Sequence, residues 1–187
     1  MHVDDENGVR QGGLIAFVRY YWHVLEPETK LVDTTVGRAL ARRMAKEFHD
    51  SDHEIEARTG ANIPWIFDIE GEAGFRQREE HVIDVLTQRR HVVLATGGGA
   101  YMDPETRALL KEKATTVWLR ADLDLIWKRV NRRDTRPLLK RDNPKQVLAD
   151  LLAARGPIYA EADIVVDSGD GPASDAVQAI RDAMGFE

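Results

Sequence analysis

Apolar residues follow two alternating rhythms along this chain. Short runs rich in Val, Ile and Leu occupy residues 91–96 (HVVLAT), 115–120 (TTVWLR) and 162–167 (ADIVVD), each bounded by Gly, Asp or charged clusters. Continuous apolar runs of this length mark strands buried on both faces, as in parallel sheets. Between them the period changes. Val36, Leu40, Met44 and Phe48 recur every fourth residue, the pairs Val147/Leu148 and Leu151/Leu152 repeat likewise, and Val82, Ile83, Val85 and Leu86 follow a strongly charged stretch. Each set lays an apolar stripe on one helix face. Strands alternating with helices of this length predict right-handed βαβ units, hence an α/β fold of three layers (αβα) around a central parallel sheet. Residues 12–25 (GGLIAFVRYYWHVL) form the most apolar N-terminal stretch, yet they carry Arg19 and His23 and are too short to span a bilayer. Without a basic leader or a small-residue cleavage site they read as a strand or a poorly ordered tail. Within and just beyond them, residues 20–27 (YYWHVLEP) offer a weak candidate for the first strand.

With 187 residues, 43% hydrophobic and 31% charged, the chain suits one globular domain with a single sizeable core. A net charge of −6 speaks against a nucleic-acid or acidic-membrane surface, which needs clustered cations. The local exception is Arg132, Arg133, Arg136, Lys140 and Arg141. The absence of cysteine excludes disulfides and thiolate metal sites, and a cytoplasmic location is expected.

Ligands of open parallel sheets bind beyond the carboxyl ends of the strands. After the strand at 91–96 come Gly97, Gly98 and Gly99, either a flexible turn or a place where backbone approaches a ligand closely. Asp50 and Asp52 bracket Ser51 ahead of a helical stretch, where helix capping is the ordinary role. Arg76 has Glu72, Glu79 and Glu80 within helical reach, and Arg155 near a helix end can complement the dipole. None of the six histidines has metal-ligand spacing.

The ordered set DSDHEIEARTG (50–60), IEGEAGFRQREE (69–80), LATGGGA (94–100), RPLL (136–139) and ARGPIYAEAD (154–163) resembles that of the shikimate kinases, almost unbroken from Thr34 to about Asp167. The resemblance implies a P-loop kinase-like fold over residues 34–187. It also implies transfer of the ATP γ-phosphoryl group to the 3-hydroxyl of shikimate with Mg²⁺, in aromatic amino-acid (chorismate) biosynthesis. By that resemblance Asp52 holds shikimate hydroxyls and is the candidate base. Arg76 and Arg155 grip the substrate carboxylate, while Gly97, Gly98 and Gly99 present backbone to the substrate. Arg136 belongs to a lid over roughly 132–142 that closes on ATP and stabilises phosphate charge. Thr34 and Thr35 face the nucleotide, with Thr34 directly and Asp50 through water near Mg²⁺. The expected partners are shikimate and ATP, with no nucleic acid or membrane, and the expected state is a monomer. A non-catalytic shikimate-binding protein and another small-molecule kinase, such as one for gluconate, are the alternatives.

One part of the pattern is absent. A phosphate cradle needs G-x-x-x-x-G-K-[ST] before the first helix, so that amides converge on the phosphates and a lysine reaches the β and γ groups. Counting back from Thr34, the lysine position holds Asp33, the preceding glycine position Val32 and the first glycine position Pro27. At 4 Å and an effective dielectric near 20, exchanging lysine for aspartate turns an attraction of about 4 kcal/mol into a similar repulsion before screening. Lys30 can swing in as a substitute cation but cannot restore the amide nest. The break is abrupt, which suggests that residues 1–33 form an atypical segment joined to an otherwise family-like domain.

Overall fold

The computed structural model describes residues 13–18, 32–131 and 143–186. The lid expected at roughly 132–142, with Arg136 in it, and the candidate strand at 20–27 lie outside the described residues.

The sheet is built from β1 (Leu14–Val18), β2 (Glu47–Asp50), β3 (Val92–Thr96), β4 (Ala114–Arg120) and β5 (Ile164–Asp167). All pairings are parallel, in the order β2-β3-β1-β4-β5. The strands expected at 91–96, 115–120 and 162–167 are therefore β3, β4 and β5, shifted by one or two residues at their starts. The central strand comes from the stretch 12–25, upstream of 20–27, so the segment before Thr34 completes the sheet. Ala16 sits between Leu94 and Thr116. Lys46 Nζ donates to the Gly13 carbonyl at 2.9 Å at the entry to this strand, and burial lowers the lysine's pKa.

Helices cover both faces because side chains alternate along each strand. Leu14 and Ala16 point into one core with Leu94, Ile55, Ile66, Phe75, Ile83, Tyr101 and Tyr159. This layer holds α2 (Ser51–Thr59), α3 (Ile63–Thr87), α4 (Gly98–Met102), α5 (Pro104–Lys113) and the end of α7 (Pro144–Tyr159). Ile15 points into the other core with Val93, Val117, Val36, Leu40 and Ile180, beneath α1 (Val32–Arg43) and α8 (Ala173–Ala183). Helix α6 (Leu123–Asn131) packs on α7 through Ile126 and Leu148.

Phe48 does not continue the helical stripe of Val36, Leu40 and Met44. Helix α1 ends at Arg43, Ala45 turns the chain at φ 52°, and Phe48 lies in the short edge strand β2. Its ring still reaches the same core, against Gly37, which is why a strand residue matched the helical period. Helix α3 breaks at Gly71 (φ 70°), and Glu70 straps the break by pairing twice with Arg78, at 2.7 and 2.6 Å.

Candidate active site

Two chain exits and the first turn of α1 meet along the carboxyl edge of the sheet. Asp50 ends β2 opposite Ala95 of β3, so residues 50–52 and 97–99 leave neighbouring strands side by side. Asp50 is the N-cap of α2 and accepts from the Asp52 backbone N–H at 3.1 Å, so the capping role exists. The same carboxylate also reaches the first turn of α1, where Thr34 Oγ1 donates to Asp50 Oδ2 at 3.2 Å. Thr35, next to it, is exposed.

Beside this edge a cavity of about 470 Å³ is lined by Arg76 of α3, Gly99 and Ala100 of α4, Arg155 of α7, and Glu72, Glu79 and Thr106 among others. Asp52, Gly97 and Gly98 are not part of its lining. The Arg76 guanidinium is fixed from several sides: it pairs with Glu79, lies 3.5 Å from Glu72, and stands 5.7 Å from the centre of the Phe75 ring. The Glu79 side chain is only 2% exposed, so this ion pair is shielded from water on the glutamate side. Both salt bridges are the helical pairings that the charged segment suggested. What the spacing did not reveal is that they leave Arg76 lining a cavity with Arg155.

Gly99 makes this placement possible. A Cβ there would stand 2.1 Å from Arg76 Nη2 and 2.4 Å from Nη1, so any other residue would displace the guanidinium. Behind the glycine turn, the buried Tyr159 hydroxyl donates to the Gly98 carbonyl at 3.1 Å. Burial raises the Tyr159 pKa, while Arg155 and Arg76 act in the opposite direction. Sequence reasoning passed over Tyr159, although it stands one helical turn beyond Arg155.

A second cavity of about 700 Å³ opens at the ends of β4 and β5, lined by Arg120, Asp122, Lys128, Asp167, Ser168 and Asp170 among others. The Arg120 guanidinium holds the Asp167 carboxyl below its usual range, and Arg129 Nη2 donates to the Gly169 carbonyl at 2.6 Å. Among the described residues no group of three or more His, Asp or Glu is arranged to hold a metal ion, and no helix is long and apolar enough to cross a membrane.

The parallel five-stranded sheet, in the order β2-β3-β1-β4-β5 with helices on both faces, has the architecture of the P-loop kinases. The shikimate kinase family model matches residues 33–185, and a shikimate kinase of Burkholderia pseudomallei is 56% identical over 137 residues, covering 73% of this chain and 74% of that protein. The chain belongs to the shikimate kinase family. A shikimate kinase from Acinetobacter baumannii, solved in complex with shikimate, superposes with a TM-score of 0.76 at 45% identity over 90% of each chain. A gluconokinase from Sinorhizobium meliloti shares the fold alone, with a TM-score of 0.51 at 14% identity.

Proposed function

We propose that this chain binds shikimate in the cavity between Arg76 and Arg155 and serves transfer of the ATP γ-phosphoryl group to the shikimate 3-hydroxyl. The observation that carries this reading is the convergence of Arg76, Gly99 and Arg155 on one cavity of about 470 Å³. Two planar cations from different helices suit a carboxylate, which each can meet with paired hydrogen bonds. The volume suits a small acid. Asp52, at the exit of β2, is the group to orient or deprotonate the attacking hydroxyl. By the family resemblance Arg136 would serve the nucleotide, as would Thr34 and Thr35. The cavity at the ends of β4 and β5 lies on the same sheet edge and is the place for the rest of the nucleotide.

Thr34 and Asp50 fit Mg²⁺, because a hydroxyl and a carboxylate 3.2 Å apart are hard oxygen donors, with water and phosphate oxygens left to complete the shell. When bound, the ion neutralises charge on the transferring phosphates. In this reading the protein is a cytoplasmic monomer.

Asp33 at the lysine position and Val32 and Pro27 at the glycine positions favour a second reading, a shikimate-binding protein with little affinity for ATP. Calorimetric titration with shikimate, together with shikimate-dependent ADP release in the presence of Mg²⁺, separates the two. Turnover that disappears in Arg76→Ala supports the kinase. Shikimate binding without turnover selects the binding protein. A folded chain that ignores shikimate, or one that phosphorylates gluconate instead, overturns both.

A further inference from the structure

We propose that Tyr159 is a positioning residue of the acid-binding cavity, its hydroxyl fixing the Gly98–Gly99 turn and Arg155 relative to one another. This rests on the shikimate reading above and adds a residue to it.

The ring of Tyr159 has little freedom. It is fully buried, with its centroid 5.9 Å from the Trp118 ring and 6.4 Å from the Tyr101 ring. A phenylalanine would satisfy that aromatic cage equally well. The additional hydroxyl is costly to bury unless it is bonded, and its bond crosses from α7 to the Gly98 carbonyl of α4, 61 residues away in sequence.

The consequence of that bond lies one peptide further on. The peptide unit is planar, so holding the Gly98 carbonyl sets the orientation of the plane that it shares with the Gly99 amide. Gly99 is the residue on which the Arg76 guanidinium rests, too close to admit a Cβ. On the other side, Arg155 precedes Tyr159 by four residues on α7, so the two share a helix face, and Arg155 acts electrostatically on the hydroxyl. Tyr159 is thus in contact with the support of one arginine and adjacent to the other. Burial keeps the hydroxyl protonated, so it remains a donor throughout the neutral range.

The test is Tyr159→Phe in the full chain, with Ile180→Val, in the opposite core, as a control for general loss of stability. In the ligand-free protein, the ¹H–¹⁵N signals of the Gly99 amide and of the Arg155 side chain are expected to shift in Tyr159→Phe and not in the control. Shikimate Kd is expected to rise about tenfold, the effect of roughly one hydrogen bond. Affinity for an analogue whose carboxylate is reduced to a hydroxymethyl group is expected to stay within about twofold, a difference that barely registers in binding free energy. Unshifted Gly99 and Arg155 signals, unchanged shikimate affinity, or an equal loss for both ligands would each overturn the proposal. If the parent chain binds no shikimate, the functional reading fails, and the two signals alone decide whether Tyr159 positions the turn.

Discussion

Replacing Gly99 by alanine perturbs the proposed carboxylate site by a single methyl group. The new Cβ would lie 2.1 Å from Arg76 Nη2, 2.4 Å from Nη1 and 2.6 Å from Cζ, whereas ordinary contact begins at 3.4 Å, so the guanidinium must retreat by more than an ångström. An exposed arginine would simply swing aside, but this one is paired with Glu79, whose side chain is 2% exposed. Two adjustments are open to it. If Arg76 keeps Glu79 and rotates away from Gly99, the stability loss is small, about 1 kcal/mol, and the fork no longer faces the cavity. If it abandons Glu79, a buried ion pair is broken, at a cost of up to roughly 3 to 5 kcal/mol. Either way one charge-assisted contact to the ligand carboxylate, worth about 1.5 to 3 kcal/mol, is lost. Shikimate Kd should therefore rise about 10- to 100-fold. Calorimetry on the folded variant reads this directly, with urea unfolding to separate the two adjustments. Parent-like affinity in Gly99→Ala would show that the contact between Gly99 and Arg76 does not set the position of the guanidinium, and would refute the reasoning.

Two further outcomes follow from the same geometry. Gly37→Ala places a Cβ 2.7 Å from the Phe48 ring, which is also held by Arg38 at 4.8 Å from its centre. Overpacking should outweigh the helix-propensity gain of about 1 kcal/mol, giving a net loss of roughly 1 to 2 kcal/mol in urea unfolding, and a stabilised variant would contradict it. The second concerns acid. Hydrogen bonds from Arg78 lower the Glu70 pKa, so the folded state favours the ionised carboxylate. Its stabilising contribution is complete above the ordinary glutamate range and is lost as pH falls through the depressed value. Parent and Glu70→Gln should accordingly differ in stability at neutral pH and converge in acid, and a gap that widens on acidification would exclude this strap across Gly71.

The amino-acid order alone carried the class of the fold, because a parallel strand buried on both faces must be apolar throughout and a covering helix must repeat near every fourth residue. Strands β3 and β4 and the stripes of α1, α3 and α7 were legible for that reason, whereas β5 carries a similar apolar run at the sheet edge, where Val165 is exposed. The family was legible too, since the segments that hold Asp52, Arg76, Gly98 and Arg155 occur in one characteristic order. Local periodicity misled where two geometries met. Phe48 matched a helical stripe, yet the chain turns at Ala45 and delivers the ring to the same core from an edge strand. Nor could pattern decide which apolar stretch becomes the central strand. Residues Leu14–Val18 hold that place through pairing with β3 and β4, partners far along the chain. The support of the candidate site belongs to tertiary structure altogether: Gly99 beneath the Arg76 guanidinium, Glu79 buried against it, and the Tyr159 hydroxyl on the Gly98 carbonyl. Spacing along a chain reports which side chains share an element's face. Which faces then meet, and how closely, is determined by strand register and by the volumes that must fit between the layers.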